Sequence, residues 1–245
     1  MKRTNFVAMA ALLTALTGGA AHAQDLSGGV ELATDESRRG LSWSEGRIAA
    51  SADAMVTLGV LDASARVVST RDSARHAGAD AVADLELGAV TDVGAFRLRG
   101  HVTAHVFTGA REKMDYVELG GRASYTLGPL QLGAGAVYAP DQRAIGGDNL
   151  YVFASANAGI PMTPLTASAA IGRSTGNTDD PLRAARLRPL GNYSDWKLGL
   201  EFNQFPFTLG IDYIGTDFAR RTTSSPYADL GNSGDRVMGR VRLSF

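Results

Sequence analysis

Between Leu26 and Phe245 the chain alternates apolar and polar residues with a period of two, the spacing at which strand side chains point to opposite faces. The pattern is sharpest from 95 to 107, where Phe96, Leu98, Val102, Ala104 and Val106 oppose Arg97, Arg99, His101, Thr103 and His105. Trp196, Leu198, Leu200 and Phe202 interleave with Lys197, Gly199, Glu201 and Asn203; Phe207, Leu209, Ile211 and Tyr213 interleave with Thr208, Gly210 and Asp212. Ala50, Ala52, Ala54 and Val56 flank Ser51 and Asp53, and Leu61, Ala63, Ala65 and Val67 flank Asp62, Ser64 and Arg66. The final run sets Val237, Val241, Leu243 and Phe245 against Arg240, Arg242 and Ser244. Weaker runs at 26–33, 80–91, 116–127, 130–139, 150–159 and 165–173 bring the predicted strands to about twelve.

The connections sort into two kinds. Short turns fall at Leu58-Gly59, 92–94, Gly128-Pro129, 160–164 and Phe205-Pro206, and longer polar loops at 35–46, 71–79, 108–115, 140–149, 174–194 and 218–234. Long and short alternate throughout. A soluble sandwich also shows apolar/polar alternation, but it has no reason to segregate its connections. A transmembrane antiparallel up-and-down β-barrel does, with long external loops and short periplasmic turns. Tyr116, Tyr125, Tyr138, Tyr193, Trp196, Phe205 and Phe207 near strand ends fit the aromatic girdles of such a barrel.

The N-terminus supports export. Lys2 and Arg3 precede an apolar run from Phe6 to Leu16, which ends in Ala21-His22-Ala23. This reads as a signal peptide over 1–23, leaving 24–245 as the barrel domain of a bacterial outer membrane protein. The chain has no Cys, which removes disulfides, thiolate metal sites and a lipid-modified cysteine together. With 24 Lys and Arg against 25 Asp and Glu, and two of the basic residues in the signal, there is no nucleic-acid footprint. The 29 Gly are many for a soluble domain of this length and ordinary for the lipid-facing strands of a barrel, which must pass close to one another.

The polar faces define a mixed lumen. Its candidate pore-lining residues are Arg66, Arg97, Arg99, His101, Glu118, Arg122, Lys197, Glu201, Asp212, Arg240 and Arg242, with Glu31, Asp53, Asp62, Asp84 and Glu86 as further acids. Arg97 and Arg99 with Arg122 on the next strand suggest a basic ladder that biases charged solutes. A lattice of ion pairs filling the lumen is the alternative, and a narrow pore is favoured. His101 and His105 share a face but lie about 13 Å apart along a strand, too far to ligate one metal. Ser124 and His105 fall on neighbouring strands without any Gly-x-Ser-x-Gly elbow, so no catalytic site, cofactor or metal is assigned. The stretch 172–192, at the end of one strand and through the loop after it, carries Arg173, Arg183, Arg186 and Arg188, read as solvated or touching lipopolysaccharide phosphates rather than folded into the mouth.

The segment Arg39-Gly40-Leu41-Ser42-Trp43-Ser44 and the strand Ile211-Asp212-Tyr213-Ile214-Gly215-Thr216-Asp217 resemble segments of the TorF-family porins, as does the aromatic C-terminus. That resemblance implies an exported barrel with a channel role and no catalytic residues. The expectation is a porin-like channel for passive diffusion of small polar or charged solutes. Its partners would be outer membrane lipids, lipopolysaccharide and the barrel-assembly machinery. A closed structural or adhesive barrel is the main competitor, and an outer membrane lipid hydrolase a weaker one. Phe245 is the candidate insertion signal: its deletion is expected to impair assembly, read as loss of heat-modifiable folded barrel in outer membranes. Normal insertion of the truncated chain would count against that role.

Overall fold

The computed structural model describes residues 25–218 and 225–245. The signal segment 1–23 lies outside them. Twelve strands form one closed antiparallel barrel: β1 (Asp25–Ala33), β4 (Ala49–Leu58), β5 (Leu61–Ser73), β6 (Ala79–Val93), β7 (Phe96–Thr108), β8 (Tyr116–Leu127), β9 (Leu130–Gln142), β10 (Gly147–Gly159), β11 (Leu165–Thr175), β12 (Tyr193–Gln204), β13 (Phe207–Thr216) and β14 (Arg236–Ser244). The first long connection holds a separate small hairpin, β2 (Ser37–Arg38) and β3 (Leu41–Ser42). Among the described residues no helix is long and apolar enough to cross a membrane; the strands are the crossing elements.

Neighbouring barrel strands follow each other in sequence, and β14 closes on β1 with Glu31 opposite Arg242 and Ala33 opposite Arg240. Gly28 and Phe245 extend that seam by exchanging two backbone hydrogen bonds of 3.0 Å each. The chain's last residue is therefore part of the closure. Three of the short turns place Gly at the first of two turn residues, with φ of +65° at Gly59, +60° at Gly94 and +57° at Gly128. Tight hairpins need that sign of φ to match the strand twist.

Side-chain direction follows the alternation. Leu85, Leu87, Leu119, Leu198, Leu200, Leu209 and Ile211 stand on the outer wall, between 42% and 68% exposed. Such a band is stable only against hydrocarbon. Phe96 and Tyr125 sit with ring centroids 5.4 Å apart on the outer face near the short-turn end. Tyr138 and Tyr213 are exposed toward the long-loop end. Tyr116 and Tyr193, expected in a girdle, are instead 4% and 1% exposed and lie inside the barrel.

The glycines have a side of their own in the wall. Many sit on the lumen side, directly beneath a long side chain from the next strand. A Cβ on Gly29 would lie 2.6 Å from the Arg242 guanidinium, on Gly88 2.7 Å from that of Arg99, on Gly133 2.6 Å from that of Arg122, and on Gly210 2.6 Å from that of Arg240. A glycine floor lets these side chains lie flat along the wall. Without it they would stand up into the bore. At the seam, Gly29 also faces the Leu243 carbonyl oxygen at 2.9 Å, which cannot swing away. Gly29→Val is therefore expected to destabilise the folded barrel by about 1–3 kcal/mol through overpacking. Gly121→Ala, with nothing within 4 Å of its Cβ position, should stay near neutral; denaturant midpoints of the two variants in detergent check the contrast.

Candidate functional site

The interior divides into two layers along the barrel axis. From mid-barrel toward the short-turn end the wall carries charge in contact with water: Arg66 is 31% exposed at its side chain and Lys197 38%. Arg66 holds Glu36 through two hydrogen bonds of 2.8 and 3.0 Å, with Glu31 at 3.9 Å. Arg99 bridges Asp62 at 2.5 Å and Glu86 at 2.6 Å. Arg242 grips Asp53 at 2.5 and 2.9 Å. Lys197 and Arg240 both reach Asp212, each at 3.2 Å, and Arg240 also pairs with Glu201. His101 faces Glu86 at 4.0 Å, and its ring lies over Gly120.

Toward the long-loop end the interior is packed. Leu41, Trp43, Met114, Ile145 and Leu187, each from a long connection, meet Val68, Val82, Phe107, Tyr116 and Tyr193 from the wall. The β2–β3 hairpin leads this plug inward. Its turn is Arg39-Gly40, with φ of +51° and +75°, the two positive values a two-residue type I′ hairpin requires. Asp35 accepts from the hydroxyls of Ser42 (2.6 Å) and Ser44 (2.8 Å) and from Arg236 Nε on β14 (3.0 Å). Arg38 pairs with Glu36 (2.9 Å) and Asp84 (2.7 Å), and Arg39 with Glu118 (2.6 Å). His105 lies between the same two wall acids, 2.7 Å from Asp84 and 3.3 Å from Glu118. A cavity of about 40 Å³ remains beside Arg38, Arg39 and Trp43, room for a few waters and no solute.

Two arginines tie the loops to one another without carboxylates. Arg75, fully buried, donates to the carbonyls of Ser42 (2.9 Å), Arg186 (2.6 Å) and Asp229 (3.0 Å) and to the Ser233 hydroxyl (3.2 Å). Arg186 donates to the carbonyls of Met114 (2.7 Å) and Ala144 (3.2 Å) and to Nδ1 of His76 (3.3 Å). All six long connections are joined through these two side chains. Burial pushes both guanidiniums down to about 10, which leaves them charged at neutral pH. Burial and the nearby Arg186 and Arg75 charges push the His76 imidazole well below its usual range, so it stays neutral and accepts at Nδ1.

The sequence matches, over residues 17–240, a family described as "Bacterial protein of unknown function (Gcw_chp)". The chain belongs to that family. No curated protein matches the chain in sequence. Among solved structures, this Gcw_chp chain is similar to the KdgM porin at 8% identity and TM-score 0.55, over 89% of this chain and 99% of that one. It is also similar to the COG4313 outer membrane channel from Pseudomonas putida F1 at 11% identity and TM-score 0.51, over 92% and 97% of the two chains. At these identities the likeness is one of fold, that of outer membrane barrels. The comparisons match the Gcw_chp family and do not confirm the TorF resemblance.

Several expectations from the sequence change in the Gcw_chp barrel. Arg99 and Arg122 face each other across β7 and β8, but Arg99 turns to Asp62 and Glu86 while Arg122 turns to Ser155, and Arg97 sits exposed at the short-turn rim with Asp92. No basic ladder forms. The loop arginines were expected in solvent; Arg186 and Arg188 are instead 1% and 5% exposed within the plug. Ser124 pairs with Arg97 and His105 with Tyr116, so the two are separated by eight strand positions, about 26 Å, and cannot act together. Arg38, Arg75 and His76 were not singled out from the sequence, and Glu36 and Arg39 entered only with the stretch that carries the TorF resemblance. The available signal was bulky apolar residues inside otherwise polar loops, such as Leu41, Trp43, Met114, Ile145 and Leu187.

The plug has an acid-sensitive anchor. Burial pushes the Glu36 carboxyl up, but Arg38 and Arg66 outweigh it and hold the group below its ordinary value of 4.5. A carboxylate whose folded value is depressed stabilises above the ordinary pKa and loses that contribution as pH falls through the folded value. Acidification below 4.5 should therefore loosen the hairpin while the strands stay paired. Of the chain's two tryptophans, Trp43 reports on the plug. In a Trp196→Phe background its emission is expected to shift red on acidification, and Glu36→Gln should flatten that transition. Emission that stays unchanged on acidification until the barrel itself unfolds would contradict the anchor.

Proposed function

We propose that this protein is an outer membrane channel for passive movement of small polar or charged solutes, with an external mouth closed in this conformation by its own inward-folded loops. The observation that carries the reading is the layer of water-exposed ion pairs lying flat on a glycine floor. A barrel serving only as a scaffold has no need to hold its long side chains flat against the wall. The channel and porin folds of the similar structures support the reading, and so does the role implied by the TorF resemblance. The short-turn end then faces the periplasm and the looped end faces outward, among lipopolysaccharide and solutes. The mixed charge lattice biases ions weakly, because its cations sit beside acids.

A second reading is favoured by the plug itself: a permanently closed barrel whose outer loops serve a surface role. Conductance separates the two. Refolded protein in planar bilayers should show discrete, salt-dependent steps, small in the wild type. Arg75→Ala with Arg186→Ala, which unties the loops from one another, should give larger and more frequent openings. A folded barrel that stays electrically silent in both forms would favour the closed reading.

A further inference from the structure

Building on the channel reading, we propose that Arg122 and Phe153 form a contact site for small organic anions bearing a flat apolar face. Luminal charge is unevenly placed. From β12 through β14 and β1 to β7, the inward Arg and Lys side chains stand beside carboxylates, as with Lys197 and Asp212, Arg242 and Asp53, and Arg99 and Asp62. Across β8 to β11, below the plug, the inward positions are small or neutral, such as Ser124, Gln131, Ser155, Asn157 and Ser168, apart from Arg122.

Among the described residues Arg122 reaches the Ser155 hydroxyl at 3.3 Å and has no carboxylate partner. Its Nε is enclosed without any partner. A cation so placed beside water keeps its charge available to a passing anion, and the planar guanidinium matches a carboxylate in shape. It lies flat over Gly133, against the wall.

Phe153 is the second half of the site. Arg122 pairs with Gly135 and Gly135 with Phe153, so the three form one row across β8, β9 and β10. Two strand spacings separate the Arg122 and Phe153 backbones, about 10 Å. Both side chains lean into that gap, the guanidinium over Gly133 and the phenyl ring over Gly135. Phe153 stacks on Tyr151, at 5.8 Å between centroids and 19° between planes, and Tyr151 is hydrogen-bonded to Asp195 at 3.2 Å. A half-buried phenyl ring on the water side of a barrel gains nothing from lipid. Beside an uncompensated cation, it offers an apolar surface to the flat part of the same solute.

Benzoate is the probe. In planar bilayers it should reduce chloride current through the wild type at lower concentration than acetate does. Arg122→Gln should weaken the benzoate effect about tenfold, the loss expected for one charge-assisted contact. Arg122→Lys should restore part of it, and Phe153→Ala should erase the preference for benzoate over acetate. A conducting wild type whose benzoate response is unchanged in Arg122→Gln overturns the site and leaves the channel standing. A folded but silent barrel overturns the channel, and saturation-transfer NMR of benzoate on the detergent-solubilised protein then decides the site alone. A wild-type signal lost in Arg122→Gln supports it, and equal signals reject it.

Discussion

A strand inside hydrocarbon cannot leave a backbone N–H or C=O unpaired, and that constraint organises everything else in this protein. With no water to satisfy an open edge, the twelve strands must close on themselves. Closure is completed at the β1–β14 seam, where Gly28 and the terminal Phe245 exchange the last pair of ladder bonds. Once the ring is closed, every strand has one face toward lipid and one toward the lumen, so the period-two pattern becomes an inside and an outside. The outward rows of Leu, Val and Ile and the inward rows of Arg and carboxylate are two consequences of one requirement.

The interior then meets a second problem, because charges removed from bulk water need partners. Below the plug the solution is local: acids and bases from strands one or two apart pair, the cations keep part of their surface in water, and glycines beneath them keep the long side chains flat. At the long-loop end the solution is different. Six connections fold inward around Trp43 and Leu41, and two buried arginines satisfy themselves on backbone carbonyls. Arg75 and Arg186 each bind groups from several loops, so releasing one loop exposes polar groups of the others. The plug should thus behave as a unit, with its ion pairs to the wall at Arg38, Arg39 and Arg66 as the points where pH or mutation can act.

The strand count and the segregation of short and long connections were legible in the sequence because both are local. Alternation along 95–107 or 196–203 needs no knowledge of neighbouring strands, and Gly59, Gly94 and Gly128 mark turns by their own backbone freedom. Facing was legible for charged residues as well: Arg66, Arg99, Arg122, Lys197, Arg240 and Arg242 all point inward. Glycine facing was not legible, since a residue without a side chain carries no polarity to alternate, and only the Arg242 or Arg122 lying above it reveals its role. The plug was illegible for another reason. Arg75 meets Ser233 across 158 positions and Arg39 meets Glu118 across 79, separations at which a loop's own composition says nothing about its partners.

By itself, then, the order of residues determined a membrane-spanning ring with greasy rows outward, charged rows inward and loops gathered at one end. Each of those properties follows from a repeat of two residues or from the length of a single connection. The tertiary structure decided which charges neutralise one another, that Arg122 faces the lumen without an acid, and that the long-loop end is filled by its own loops. Those outcomes depend on which strands meet around a closed circle and on side chains converging from distant loops, and no short stretch of sequence encodes either.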